Sequence, residues 1–202
     1  MTDLVRCDWA NGSASMAAYH DSEWGVPQHD DRVLFEFVIL EGAQAGLSWQ
    51  TVLNKRDGYR RAFHGFEIER VAAMTDDELE RLMLDPSIIR NRAKIQSARA
   101  NAQAVLKVQS EFGSLDNYLW DFVGGAPIVG DRRSLSDIPA RTPESDKLSK
   151  ALAGRGFKFV GSTICYAFMQ AVGMADDHLA TCFRRNAETA QTVQSLDRPE
   201  AC

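Results

Sequence analysis

The sequence predicts an all-α fold. Apolar residues recur at helical spacing over most of the chain, capping residues stand in front of the periodic stretches, and no alternating apolar–polar run of useful length is present. The 202 residues fit one domain, or two small lobes sharing a core.

Val33, Leu34, Phe37, Val38 and Ile39 follow a candidate Asp30 N-cap, and Gly46 closes that helix. A second helix is expected from Ser48 through Val52 toward Phe63. Thr75 and Glu78 form a capping-box pattern ahead of Leu79, Leu82 and Met83, and Asp85-Pro86 breaks the chain after it. A long helix is predicted over 91–112, ended by Gly113, with Ser114 capping the next one through Leu119 and Phe122. Residues 124–139 read as irregular connection. Thr142-Pro143-Glu144 supplies an N-cap, an N1 proline and a first-turn acid to a helix carrying Leu148 and Leu152. After Arg185 the apolar periodicity stops. The folded domain is therefore expected over 1–185, and residues 186–202 are expected to be a disordered tail.

Hydrophobic residues make up 45% and charged residues 25%, the balance of an ordinary folded protein. No apolar run is long enough to span a bilayer, so no membrane role is expected. The start, MTDLVRCDWANG, has neither the apolar core nor the cleavage site of a secretion signal, which makes a cytoplasmic protein the expectation. The cysteines are Cys7, Cys165, Cys182 and Cys202; in that compartment metal binding gains weight over disulfides. A net charge of −5 argues against coating nucleic acid through bulk electrostatics, yet leaves room for a local basic face.

His178 and Cys182 stand four apart in an expected short helix, a plausible zinc half-site. Cys7 and His20 would supply the other half, making a closed, structural tetrahedron. Buried cysteines and hydrogen-bonded histidines are the plainer alternative. Trp9, Tyr19, Trp24 and Trp49 cluster in the first fifty residues, and Glu41 interrupts the apolar stretch VILEGAQAGLSW. A carboxylate is rarely buried without a partner, so Glu41 points to a ligand contact or a perturbed pKa. The alternative is an aromatic core with Glu41 ending its helix.

Gly156 and Gly161 bracket a short apolar turn between two helical patterns, with Lys147, Lys150, Arg155 and Lys158 in or beside it. Exposed amides at such a turn can bind a phosphate; an ordinary packing corner looks the same. Arg90, Arg92, Lys94, Arg99 and Lys107 form a second basic stretch with no acid between them, either an anion-binding surface or a solvated face.

YHDSEWGVP (19–27), LEGAQAGLSWQTVLNKR (40–56), IIRNRAKI (88–95) and RGFKFVGSTICYAFMQAVG (155–173) closely resemble the DNA-3-methyladenine glycosylase I family. The resemblance runs in order over roughly residues 6–184. It implies a helix–hairpin–helix DNA glycosylase fold with the hairpin near 155–162. It also implies one structural Zn2+ on Cys7, His20, His178 and Cys182, joining the N- and C-terminal segments. The implied base pocket is Glu41, the catalytic residue, with Tyr19, Trp49 and nearby Trp9; Gly156, Lys158 and Gly161 would contact the DNA backbone. The implied activity is hydrolysis of the N-glycosidic bond of 3-methyladenine in alkylated double-stranded DNA, a base-excision-repair step that frees the base, performed by a monomer.

Two departures from the wider superfamily bear on mechanism. Thr163 stands where bifunctional members carry a lysine nucleophile, so a monofunctional enzyme without strand cleavage is expected. The superfamily's catalytic aspartate falls on Asp176, which either aids water attack or caps the zinc-site helix. Rival readings are a non-catalytic zinc-stabilised DNA-binding protein and a glycosylase of broader alkylpurine range. A zinc hydrolase fits least, since all four candidate ligands are needed to close the site.

Overall fold

The computed structural model describes residues 4–185, and these are mainly helical. In chain order the helices are α1 (Ala14–Ser22), α2 (Asp31–Gln44), α3 (Trp49–Leu53), α4 (Arg56–Ala62), α5 (Ile68–Ala72), α6 (Asp76–Leu82), α7 (Arg92–Phe112), α8 (Leu115–Trp120), α9 (Pro143–Gly154) and α10 (Ser162–Ala171). Short 3-10 turns join several of them. The expected tail, with Cys202, lies outside the described residues.

Helix α2 is central because it is buried on nearly all sides: Leu34, Phe35, Phe37, Val38, Ile39, Leu40 and Ala43 are all buried, along with Glu36 and Glu41. It packs against α7 and α8 on one side and α10 on another. The Asp30 carboxylate accepts the N–H groups of Arg32 and Val33 at 2.9 and 3.0 Å, which fixes its start. Asp31 accepts the backbone N–H groups of Leu115 and Asp116, each at 2.8 Å, and so ties that start to α8. Lys94 fixes the other end. Its ammonium donates to the carbonyls of Ala43 and Ala45 at 2.8 and 2.7 Å, satisfying groups that the ending helix leaves without intrahelical partners.

The caps at Thr75 with Glu78, Ser114 and Thr142 all form as the sequence predicts, Asn91 caps α7 as well, and Gly113 ends α7 at a φ of +85°. The expected second helix is instead two. Ser48 does cap it, but the chain breaks at Asn54 and Lys55, where Lys55 donates to the Pro86 carbonyl at 2.7 Å. From there Arg56 is drawn into a buried ion-pair group, 2.6 Å from Glu36 and 2.5 Å from Glu23. Phe122 lies in the 3-10 turn after α8 rather than on the helix.

Among the described residues the only strands are two parallel pairs of residues, Ile128–Val129 beside Ala175–Asp176. They are too short to show any alternation in the sequence. No described helix is long and apolar enough to cross a membrane.

His178 to Cys182 is not helical, contrary to the expectation. It is an irregular turn in which the Cys182 N–H meets the Leu179 carbonyl at 2.8 Å. The basic stretch on α7 is also mostly consumed inside the molecule. Besides Lys94, Arg92 pairs with Glu80, and Arg99 reaches Asp76 at 2.6 Å and the Met74 carbonyl at 2.9 Å. Only Arg90 and Lys107 of that group are exposed without a bonded partner among the described residues.

Candidate active site

A cavity of about 270 Å³ opens between α1, the end of α2, the start of α3 and α10, large enough for a flat bicyclic ring. Trp9, Met16, Tyr19, Trp24, Glu41, Gln44, Trp49, Ile138, Ala167 and Gln170 line it. The Tyr19 and Trp49 rings lie 5.2 Å apart, with Trp9 6.4 Å from Tyr19. Phe37 backs Tyr19 at 6.5 Å, and the Arg56 guanidinium stands 5.1 Å over that Phe37 ring. The ion-pair group that splits the second helix thereby braces the cavity wall.

Three polar atoms of these lining residues are buried without a hydrogen-bond partner among the described residues: the Tyr19 hydroxyl, Glu41 Oε2 and Trp49 Nε1. Buried polar groups in folded proteins are nearly always paired, so three orphans around one cavity mark a place built for a polar ligand. Glu41 is 4% exposed, and burial pushes its carboxyl up to about 8. In the free protein at neutral pH it is mostly neutral. A cation entering the cavity would restore the charged form. Burial also raises the Tyr19 hydroxyl well above its usual range.

A second groove of about 380 Å³ adjoins this cavity and shares Glu41, Gln44 and Ala167 with it; Ala45, Gly46, Leu47, Thr163 and Ile164 complete its walls. Helix α10 runs from this groove to the cavity, and the turn 155–161 precedes it. Gly156 takes a φ of +92°, which only glycine adopts without strain, and Phe159 carries a positive φ of +56°. The turn is held from behind by buried Asn101, which accepts the Lys158 N–H at 2.7 Å and donates to its carbonyl at 3.1 Å. The Lys158 side chain is left exposed. Gly161 precedes α10 with no side-chain cap, so the N–H groups of its first turn are left without a capping side chain.

Cys7, His20, His178 and Cys182 converge, all buried, with one ligand atom of each within 4.8 Å of the others. The sulfur–nitrogen separations are 3.3 Å (Cys182 to His20 Nε2), 3.6 Å (Cys182 to His178 Nδ1) and 3.7 Å (Cys7 to His178 Nδ1). Zinc bonds of about 2.3 Å to sulfur and about 2.0–2.1 Å to nitrogen place the corners of a tetrahedron about 3.6 Å apart, so the group fits such an ion. The outward nitrogens agree. His20 Nδ1 faces Asp21 at 2.9 Å, and His178 Nε2 faces the Trp24 carbonyl at 3.3 Å, which turns the remaining nitrogen of each ring inward as an acceptor.

The thiols divide their roles in the metal-free chain. A hydrogen bond from Cys7 holds Cys182 far below the ordinary thiol range. Cys7, sharing that bond and buried, is pushed up and keeps its proton. A metal ion would take that proton's place.

The cluster and the cavity share a wall. Trp9 meets His20 edge-on at 5.3 Å and Trp24 at 5.0 Å, while Trp24 meets His178 at 4.6 Å. Asp176 does not line the cavity. Its Oδ1 accepts the His178 N–H at 3.0 Å, and Oδ2 lies 3.3 Å from Arg185, which is the capping arrangement.

The sequence brought Glu41, Tyr19, Trp49, Trp9 and Trp24 to one place correctly. It did not single out Met16, Gln44, Ile138, Ala167 or Gln170. For Gln170 a signal existed: like Glu41, it is a polar residue inside an apolar run, ICYAFMQAVG.

A family model described as methyladenine glycosylase matches residues 9–185. The DNA-3-methyladenine glycosylase 1 of Escherichia coli (strain K12) is 51% identical over 179 residues, covering 89% of this chain and 96% of that protein. A crystal structure of 3-methyladenine DNA glycosylase I superposes with a TM-score of 0.87 at 52% identity, covering 89% of this chain and 98% of the other. A variant of 3-methyladenine DNA glycosylase I, solved in complex with 3-methyladenine, gives a TM-score of 0.87 at 36% identity, with 89% and 97% covered.

Proposed function

Since the chain belongs to the methyladenine glycosylase family, we propose that it hydrolyses the N-glycosidic bond of 3-methyladenine in alkylated double-stranded DNA, with the aromatic cavity as its base pocket. The protein is a DNA repair glycosylase, an enzyme acting on N-glycosyl bonds. The observation that carries the pocket assignment is the trio of unpartnered buried atoms on Tyr19, Glu41 and Trp49.

A base in a duplex is out of reach, so the damaged nucleotide must turn out of the stack to enter the cavity. Methylation at N3 gives adenine a positive charge and weakens its bond to the sugar. Tyr19 and Trp49 offer ring faces to that cation, with Trp9 alongside. Glu41 becomes ionised as the cation arrives and accepts a hydrogen bond from it. The C1′–N9 bond then breaks with its electron pair going to the base, which leaves neutral. Water bonds to C1′ and gives its proton to solvent. The leaving group is already activated, so Glu41 serves as a catalytic residue through charge and hydrogen bonding rather than as a proton donor.

Cys7, His20, His178 and Cys182 are proposed to hold one Zn2+, supported by the tetrahedral spacing and by both histidines being turned by outer partners. When bound, the ion supplies a structural tie with no open coordination position. Gly156, Lys158 and Gly161 are proposed to hold DNA phosphate, supported by the uncapped α10 start and the exposed lysine. That use of α9, turn and α10 makes them the helix–hairpin–helix unit. One buried core supports a single domain over 1–185, which is proposed to work as a monomer. The buried free thiols Cys7, Cys165 and Cys182 suit the reducing cytoplasm.

The test is to incubate the protein with methylated duplex DNA and identify any free base, with Glu41→Ala in parallel. Release of 3-methyladenine by the unaltered chain, strongly reduced in the variant, is the expected result. DNA binding with no base released would leave a zinc-stabilised DNA-binding protein instead. Comparable release of 3-methylguanine and 7-methylguanine would mean a broader alkylpurine range.

A further inference from the structure

Gln170 lies on α10 one turn beyond Ala167, and both line the base cavity. Its Nε2 donates to Asp177 Oδ2 at 2.8 Å. Asp177 is 1% exposed and carries an unusual load: Arg132 Nε donates to Oδ1 at 2.7 Å, and the Tyr166 hydroxyl donates to Oδ2. Gly130 completes the enclosure, since a Cβ there would overlap the carboxylate. Three donors converge on this carboxylate, one of them a guanidinium, so Asp177 acts only as an acceptor.

That settles which way the Gln170 amide faces. Its NH2 must point at Asp177, and its carbonyl oxygen, which has no hydrogen-bond partner among the described residues, is left to the cavity. Gln44, the other amide on the wall, has no side-chain hydrogen bond among the described residues and can present either end. The cavity therefore holds one acceptor that cannot turn into a donor.

The ligand's chemistry meets this. The N–H donors of an N3-methylated adenine are the two hydrogens of its 6-amino group. The cavity offers two acceptors for them, the Glu41 carboxylate and the Gln170 carbonyl. A guanine analogue carries an oxygen at C6 and would set acceptor against acceptor, leaving both unpaired. We propose that Gln170 is a specificity-determining residue whose carbonyl accepts a hydrogen bond from the 6-amino group of the base, with Asp177 and Arg132 as positioning residues that keep the amide from flipping. This rests on the aromatic cavity being the base pocket.

The experiment is equilibrium binding of free 3-methyladenine and free 3-methylguanine, followed by tryptophan fluorescence, with glycosylase turnover measured alongside. Gln170→Met keeps the length and removes the carbonyl. It is expected to lose about tenfold on 3-methyladenine and little on 3-methylguanine, so that the ratio between them collapses. Asp177→Asn frees the amide to turn. It is expected to narrow the same ratio by strengthening 3-methylguanine; should that variant not fold, Gln170→Met decides alone. A Gln170→Met protein with the unaltered ratio overturns the proposal. So does one whose turnover falls while the ratio stands, since the carbonyl would then hold water rather than the base edge. If the unaltered chain binds neither base, the pocket assignment itself fails, an outcome distinct from an unmoved ratio.

Discussion

The carboxylate of Asp21 lies 2.9 Å from Nδ1 of His20, on the opposite side of the ring from the Cys182 sulfur. Asp21 is itself clamped by Arg6, whose Nε and Nη2 reach it at 2.8 and 2.7 Å. The pair helps orient the imidazole toward the sulfurs, beside its packing against Trp9 and Trp24. Asp21→Asn is expected to weaken zinc binding by roughly 10- to 100-fold while keeping all four ligands, as loss of such an outer partner does. Competition with a chromogenic chelator measures it. Unchanged affinity would mean that the ring is held by packing alone.

Glu41 gives a pH signature. The unfolded chain loses this proton near the ordinary 4.5 and the folded chain at about 8, so between those values the folded state binds more protons. Its contribution to stability is whole below the lower value and is lost as pH rises to the upper one. Glu41→Gln removes the penalty. Its melting temperature is expected to exceed that of the unaltered chain by a margin that widens from about pH 5 to about pH 8. Thermal scans across that range check this, and a constant margin counts against it.

Asp176 has both oxygens occupied, by the His178 amide and by Arg185. An Asp176→Asn enzyme is expected to keep its single-turnover excision rate, because an amide oxygen still accepts the His178 N–H. A loss of ~100-fold, the scale of a positioned general base, would restore the water-activating role.

Among the described residues no lysine lines the base cavity, and Lys94, on the α7 face toward α2, has its ammonium committed to two carbonyls. Borohydride added during turnover is therefore expected to trap no covalent protein–DNA adduct. A trapped band would show an amine nucleophile at work.

The sequence carried the helices wherever capping and periodicity agreed, as at Asp30, Thr75, Ser114 and Thr142. It misread the 48–63 stretch because the break there comes from distant partners: Lys55 reaches Pro86, and Arg56 reaches Glu36 and Glu23. It placed His178 and Cys182 on a helix because a spacing of four is helical by habit, whereas a turn brings them together just as well. The charge stretch on α7 misled for a related reason. Composition counts charges but does not show that Lys94, Arg92 and Arg99 are spent on carbonyls and acids of the same molecule. Gln170 escaped notice because its meaning depends on Asp177, seven residues further on, and on Arg132, which stands well before α10.

Cys7 and Cys182 stand near opposite ends of the described chain, and their cluster backs the wall formed by Trp9 and Trp24. During synthesis, then, the base pocket cannot be finished when its own residues have emerged. Tyr19, Glu41 and Trp49 would leave the ribosome long before the last ligand, and a loop of this length is slow to close by chance. A chain halted before Cys182 would carry an incomplete site and a loose pocket wall.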